Sequence, residues 1–177
     1  MAVTPSPAHA QSAPSPWVVR WGAHVAAGAS VLDVACGSGR HASWFAGRGH
    51  PVAAVDRDAA ALATLEGIAN VTTRLADLEG GDWPYAGRTF GAVVVTNYLH
   101  RPLFSALLAA VAPGGLLIYE TFALGNERHG RPSNPDFLLQ PGELLERVRG
   151  ELRVLGYEDL EVAEPRPACV QRVCARR

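Results

Sequence analysis

The sequence predicts an α/β fold: a doubly wound, seven-stranded, mostly parallel sheet with helices on both faces and a C-terminal antiparallel hairpin. Three observations support this prediction. Short apolar runs alternate with helical segments between residues 31 and 119, which is typical of parallel strands joined by helices. The first run leads straight into a turn with two glycines, Gly37 and Gly39. Two extended runs, separated by a proline-containing turn at 164–167, close the chain and predict the hairpin.

Local signals place the elements in chain order. Ser15 before Pro16 is typical of a helix N-cap followed by proline at the first helical position, and Asp58 is a second helix cap. The apolar runs predict strands over 31–35, 52–55, 71–75, 90–96 and 116–119, and the hairpin over 152–162 and 168–175. Further helices are predicted over 39–48, from Asp58, from Pro102 to the Pro-Gly-Gly turn at 113–115, and over 141–149.

Length and composition indicate one globular domain. The chain has 177 residues, of which 48% are hydrophobic and 19% are charged, which is ordinary for a domain with a single core. Residues 1–14 are rich in alanine, proline and serine. We therefore expect a disordered leader over 1–14 and a single domain over 15–177.

Charge and cysteine content restrict the expected partners. A net charge of −1 argues against a protein that binds nucleic acid or an acidic membrane through a positively charged surface. The sequence has no run of about 20 apolar residues, the length that spans a bilayer. The three cysteines and six histidines lack metal-ligand spacing, so we expect no structural metal. Reduced thiols favour a cytoplasmic location, and the oligomeric state is left open.

Glycines and polar residues lie where the predicted strands end. Carboxyl ends of parallel strands meet at one edge of the sheet, which is the usual place for a ligand. The glycine turn lets the backbone lie against that ligand, and the helix start offers N–H groups that suit a carboxylate or phosphate. Asp56 follows the second strand, where a carboxylate can accept from both hydroxyls of a ribose. The sequence therefore predicts a site for a nucleoside-containing cofactor, and Asp77 and Asn97 lie at the same edge.

Two cofactor classes are compatible with the glycines. Residues 37–42 also satisfy the dinucleotide pattern GxGxxG/A, which leaves an NAD(P)-dependent oxidoreductase open. Asp33 lies inside the first strand, four positions before Gly37, and a pyrophosphate gives no reason for a negative charge there. A ligand that carries an ammonium group beside its carboxylate gives such a reason, because the ammonium group is positively charged.

On these residues the chain resembles the class I S-adenosylmethionine-dependent methyltransferases, and within them the small, undecorated bacterial type similar to the tellurite-resistance-type enzymes. The resemblance covers about residues 15–177 and implies a Rossmann-like fold with S-adenosylmethionine as cofactor. The family's first motif reads acidic-x-Gly-x-Gly-x-Gly. Ala35 stands here in place of the first of those glycines.

The resemblance also implies roles for individual residues. Asp33 acts on the ammonium group of the cofactor, Asp56 binds the ribose hydroxyls, and Asp77 accepts from the adenine amino group. Arg57 packs beside the adenine. The residues implied in cofactor binding are Asp33, Ala35, Cys36, Gly37, Gly39, Asp56, Arg57, Asp77, Leu78 and Asn97.

The substrate end of the site is predicted from residues after the fourth and fifth strands. The run 97–100 lacks both prolines of the Asn-Pro-Pro-Tyr element of enzymes that methylate exocyclic amines of nucleic acid, so a small-molecule acceptor is favoured. The loop 121–140 is long enough for a lid over the substrate; alternatively, its arginines pair with neighbouring carboxylates. The predicted substrate-binding residues are Tyr98, His100, Glu120, Arg128 and Arg131.

Methyl transfer needs mainly alignment and the exclusion of water, so a catalytic residue need not exist. If a base is needed, the candidates are His100, whose side chain titrates near neutral pH, and Glu120. His100 could instead cap the helix that begins at Pro102. Two alternative functions remain: an NAD(P)-dependent oxidoreductase, and a non-catalytic sensor that binds S-adenosylmethionine without transferring its methyl group.

Overall fold

The computed structural model describes residues 13–177, so residues 1–12 of the predicted leader lie outside the described part. Seven strands form one mixed sheet: β1 (Val31–Val34), β2 (Val52–Asp56), β3 (Val71–Leu75), β4 (Phe90–Thr96), β5 (Val111–Phe122), β6 (Arg153–Val162) and β7 (Ala168–Arg176). Their order in the sheet is β3-β2-β1-β4-β5-β7-β6. Strands β1 to β5 are parallel, and β7 is antiparallel to both of its neighbours. The predicted fold class is confirmed.

Five short helices connect or flank the strands: α1 (Pro16–Gly22), α2 (Arg40–Ala46), α3 (Ala59–Ala63), α4 (Phe104–Ala109) and α5 (Glu143–Val148). Both predicted caps are present. The Ser15 side chain accepts from the N–H of Trp17, and the Asp58 carboxylate accepts from two N–H groups of α3. Within residues 13–177 no helix combines the length and apolar character needed to cross a bilayer.

The core lies on both faces of the sheet. Alternate residues of a strand point to opposite faces, and β4 shows this clearly: Val93 and Val95 enter one apolar cluster, whereas Ala92 and Val94 enter the other. All four are fully buried. This two-sided burial explains why the middle of β4 is apolar, and the strand ends at Thr96, one residue before Asn97.

The start of β5 differs from the prediction. The sequence predicts a helix that continues through Val111 to the Pro-Gly-Gly turn, but α4 ends at Ala109 and β5 begins at Val111. Val111 pairs with Phe90, and after a register shift Leu116 pairs with Ala92. The Pro-Gly-Gly segment is therefore an irregularity inside one long strand, because pairing with β4 outweighs the local turn signal.

The predicted loop 121–140 is partly ordered into defined structure. Its first two residues belong to β5, and it contains two 3₁₀ turns, Asn126–Arg128 and Pro135–Phe137. Ala123 bridges to Leu139, which closes the loop at its base. Arg101 holds the loop to α5: its guanidinium donates to both carboxylate oxygens of Glu143 (2.8 and 2.9 Å) and to the carbonyls of Asp136 (2.7 Å) and Leu138 (2.9 Å).

Candidate functional site

A cavity of about 410 Å³ lies at the carboxyl edge of the parallel strands. Its size is within the usual range for a small-molecule or cofactor site. The structure brings six of the predicted site residues to its walls, together with residues of β5 and of the loop 121–140. The lining residues are Ala35, Asp56, Arg57, Leu78, Glu79, Asn97, Tyr98, Leu99, Thr121, Phe122, Pro132 and Phe137.

The turn between β1 and α2 is built from left-handed backbone. Ala35 has φ of 51° and Gly39 has φ of 75°, a region that favours glycine. A Cβ on Gly39 would lie 2.4 Å from Leu65, so this glycine is required by packing as well. Ala35 adopts the same kind of backbone despite its Cβ, which matches its place where the family motif has glycine.

Asp56 links this turn to the next loop. One carboxylate oxygen accepts from the N–H of Gly37 at 2.8 Å, and the other accepts from the N–H of Asp58 at 2.9 Å. A carboxylate has about four acceptor positions, so the side chain can still accept two further hydrogen bonds. It is partly exposed to the cavity. This geometry fits the two hydroxyls of a ribose.

Asp33 is buried behind the turn. Its Oδ2 accepts from the N–H of Ala42 at 2.9 Å in the first turn of α2, whereas its Oδ1 is buried without a hydrogen-bond partner within the described chain. Burial raises the pKa of Asp33 to about 7, although the Ala42 N–H and the charge of Arg40 act in the opposite direction. Asp33 therefore contacts a helix start and also keeps an unpaired oxygen that would suit an ammonium group.

At the far end of the cavity, Leu78 lines the wall and Asp77 does not. Asp77 is exposed, and its Oδ1 accepts from the N–H of Glu79 at 3.0 Å. Backbone hydrogen bonds from Glu79 and Gly80 lower the pKa of Asp77, and the charges of Arg57 and His100 add to this. The carboxylate therefore stays ionised beside the predicted adenine position.

Cys36 is buried as a free thiol. Burial, followed by the negative charges of Asp33 and Asp56, raises its pKa well above the usual range. A thiol in this environment is not a nucleophile at neutral pH, and Cys36 is not among the residues that line the cavity.

Tyr98 and His100 lie on either side of Leu99 after β4. Tyr98 lines the cavity, its carbonyl accepts from the Tyr119 hydroxyl at 2.8 Å, and burial raises the pKa of its phenol. His100 occupies the N-cap position of the 3₁₀ turn 101–103, but its side chain makes no capping hydrogen bond. His100 does not line the cavity, and its charge helps to lower the pKa of Asp77.

Glu120 is held in an ion pair. It lies on β5 opposite Arg172 of β7 in the sheet register, and its carboxylate contacts the Arg172 guanidinium. The other oxygen accepts from the Ser15 hydroxyl at 2.7 Å. Arg172 also contacts Glu158 at 3.0 Å. A carboxylate compensated in this way is poorly suited to act as a general base, and its proposed catalytic role is weakened.

The two arginines of the loop 121–140 do not reach the cavity. Arg128 lies 3.4 Å from Glu161 on β6 and 3.6 Å from the Cys169 sulfur. Arg131 is exposed and lines a shallow surface depression instead. For Arg128 the alternative reading, pairing with a neighbouring carboxylate, is the one that the structure shows. The loop contacts the cavity through Pro132 and Phe137, which sequence reasoning did not single out.

One cluster in this region has metal-ligating side chains. Single ligand atoms of His129, Glu161 and Cys169 lie within 4.8 Å of one another. These residues are far apart in the chain, so motif spacing could not predict the cluster. The Arg128 guanidinium lies against two of the three, which opposes a cation there. The expectation of no metal stays a prediction.

His41 is a further residue that sequence reasoning missed. Its Nε2 accepts from the backbone N–H of Ser15 at 3.0 Å, so a neutral ring carries its proton on Nδ1, which lies 3.4 Å from the Thr96 hydroxyl. Burial, and secondly the charge of Arg40, lowers the pKa of His41 to about 3. This neutral imidazole ties the start of α1 to the cavity edge of the sheet.

A glycine turn after β1 and an acidic side chain at the end of β2, both at a cavity on the carboxyl edge, define an α/β protein built for a nucleoside-containing cofactor. A family model described as a methyltransferase domain matches residues 31–115. The matched segment contains the glycine turn, Asp56 and Asp77, and the match together with the fold confirms the predicted resemblance to the S-adenosylmethionine-dependent methyltransferases. The predicted function class and cofactor are those of this family.

Solved structures share the fold at low sequence identity. TehB from Haemophilus influenzae superposes with a TM-score of 0.79 at 20% identity, covering 96% of this chain and 64% of that protein. An S-adenosylmethionine-dependent methyltransferase from Mesorhizobium loti gives 0.68 at 18% identity, covering 86% and 93%. The 1,6-didemethyltoxoflavin-N1-methyltransferase of Burkholderia thailandensis gives 0.64 at 22% identity, covering 92% and 76%. No curated protein matches the chain in sequence.

Proposed function

We propose that this chain transfers a methyl group from S-adenosylmethionine to a small molecule in the cytoplasm. The observation that carries the proposal is Asp56, which braces the glycine turn through Gly37 and keeps acceptor capacity toward the cavity. The family match over 31–115 supports methyl transfer rather than hydride transfer. The three free cysteines agree with a reducing compartment.

In this proposal the residues of the turn and the neighbouring strand ends hold the donor. Asp56 accepts from the ribose hydroxyls, Leu78 and Arg57 border the adenine, and Asp77 accepts from its amino group. Asp33 acts on the ammonium group through its unpaired oxygen, directly or through a water. Arg40, the first residue of α2, pairs with the donor carboxylate, and its nearness to Asp33 is seen in its effect on the Asp33 pKa.

The chain's contribution to the chemistry is alignment and the exclusion of water. S-adenosylmethionine supplies, when bound, an electrophilic methyl carbon on a cationic sulfur that leaves as a neutral thioether. No proton therefore has to be delivered to the leaving group. Leu99, Phe122 and Phe137 provide apolar wall that keeps water from the reacting atoms. A base is needed only when the acceptor arrives protonated, and of the two candidates His100 is the unpaired one among the described residues.

A second cavity of about 370 Å³ adjoins the first, and Asn97 and Phe122 line both. We assign this second cavity to the acceptor. A space of this size suits a small molecule. The structural neighbour from Burkholderia thailandensis, whose printed name is that of a methyltransferase acting on 1,6-didemethyltoxoflavin, gives a precedent for a small acceptor on this fold.

The test is transfer of a radiolabelled methyl group from S-adenosylmethionine into small-molecule extracts, with the full chain and its Asp56→Ala variant. The proposal expects label in the small-molecule fraction that depends on Asp56. A protein that binds S-adenosylhomocysteine yet labels no fraction would be the sensor. A protein stabilised thermally by NAD and not by S-adenosylhomocysteine would be the oxidoreductase. Either result would overturn the proposal.

A further inference from the structure

The second cavity is apolar along most of its wall but has a charged rim. Phe122 on β5 pairs with Val170 on β7 in the sheet register, and Val162 and Pro165 continue the apolar surface toward the β6–β7 turn. Phe122 and Val170 are buried in the sheet. An acceptor in this cavity therefore contacts apolar side chains with most of its surface.

Arg166 lies on the β6–β7 turn at the rim of this cavity. Its guanidinium lies over the Phe122 ring, 5.7 Å from the ring centre. Among residues 13–177 no carboxylate forms an ion pair with it, in contrast to Arg172, which is paired with Glu120 and Glu158. A guanidinium placed on an aromatic ring beside an apolar cavity, and without a counter-ion in the described chain, is available to a ligand.

The other charges around this cavity narrow the choice of ligand. Arg40 also lines it but lies next to Asp33 and donates to the Ala13 carbonyl at 3.3 Å. Glu164 is two residues before Arg166 and lines the same rim. Glu120 and Arg172 line the cavity as well, but they are paired with each other. With Arg40 assigned to the donor, Arg166 is the guanidinium left for the acceptor, and the Glu164 carboxylate on the same turn favours a monoanion over a phosphate dianion.

We infer that the methyl acceptor is a small amphipathic carboxylate, whose apolar body lies against Phe122 and Val170 and whose carboxylate is bound by Arg166. The guanidinium presents a planar fork of N–H donors that matches a carboxylate. The carboxylate is the recognition group, and a different atom of the same molecule receives the methyl group. This inference rests on the proposed function, since it assigns the acceptor class of the same site.

The experiment measures binding of two matched probes by calorimetry to the full chain saturated with S-adenosylhomocysteine. Phenylacetate carries the carboxylate, and phenylacetamide has nearly the same shape without the charge. The variants are Arg166→Gln and the control Arg153→Gln, an exposed arginine at the other end of β6, opposite Arg176 in the register. We expect phenylacetate to bind at least tenfold more tightly than phenylacetamide in the wild type and in the control, and less than threefold more tightly in Arg166→Gln.

Equal binding of the two probes to the wild type would overturn the inference, as would a charge preference that survives Arg166→Gln or the absence of measurable binding by phenylacetate. Titration of S-adenosylhomocysteine alone distinguishes a failure of this inference from a failure of the proposed function. If that titration succeeds and the probes fail, only the acceptor class is wrong. If S-adenosylhomocysteine itself does not bind, the proposed function fails.

Discussion

Replacing Asp56 with alanine should weaken donor binding without unfolding the protein. In the structure the carboxylate uses two acceptor positions on the N–H groups of Gly37 and Asp58 and retains about two more. Hydrogen bonds to a charged group contribute about 1.5–3 kcal/mol each when buried. Because Asp56 is only half-buried, we expect a total loss of about 1–3 kcal/mol, which is about a 5- to 150-fold rise in Kd.

Asp58 is the matched control, since it is an aspartate two residues away with a purely local task. Its side chain caps α3 by accepting from Ala60 and Ala61. Asp58→Ala should lower the free energy of unfolding by about 0.5–2 kcal/mol and leave the Kd for S-adenosylhomocysteine within twofold. Isothermal titration with S-adenosylhomocysteine and urea unfolding measure the two quantities. A folded Asp56→Ala variant with wild-type affinity would refute the ribose assignment.

Three further predictions concern the turn behind the site and the loop above it. Asp33 has its pKa raised to about 7 from 3.8, so the unfolded chain ionises first and the contribution of Asp33 to stability should fall as pH rises from about 4 to 7. His41, whose pKa is lowered to about 3, acts in the opposite direction up to about pH 6.5 in wild type and variant alike. The free energy of unfolding of the wild type minus that of Asp33→Asn, measured in urea, should therefore be smaller at pH 8 than at pH 5, and an equal difference at the two pH values would count against this prediction. Ala35→Gly should keep or raise stability because φ is 51°, whereas Ala60→Gly in α3 should lose about 0.5–1 kcal/mol; equal losses in thermal unfolding would contradict the strain argument. Arg101→Gln removes four hydrogen bonds and should speed amide exchange in residues 134–140, measured by mass spectrometry, with protection like that of the wild type as the opposing result.

The sequence was sufficient to predict the sheet and to place the glycine turn and Asp56 at its carboxyl edge. Strand positions follow from apolar runs, and the turn at Gly37 and Gly39 follows from local chemistry. The position of Asp56 is predictable because it depends only on where β2 ends. These features arise within short segments, where a residue type and its place in the chain determine the structure.

The acceptor side could not be predicted in the same way. Glu120 meets Arg172 only because β7 pairs with β5, and Arg128 meets Glu161 only because the loop folds back on β6. In the sequence His41 is an ordinary helix residue, and its hydrogen bond with the Ser15 N–H forms only in the folded structure. Such contacts join segments that are far apart in the chain, and charge compensation between them changes what a side chain can do.

A crystal structure of the full chain with S-adenosylhomocysteine tests the central claim most directly. We expect the ribose hydroxyls to lie within hydrogen-bond distance of Asp56, with the sulfur facing the boundary between the two cavities at Asn97 and Phe122. A nucleoside bound elsewhere, or a ribose that does not contact Asp56, would contradict it.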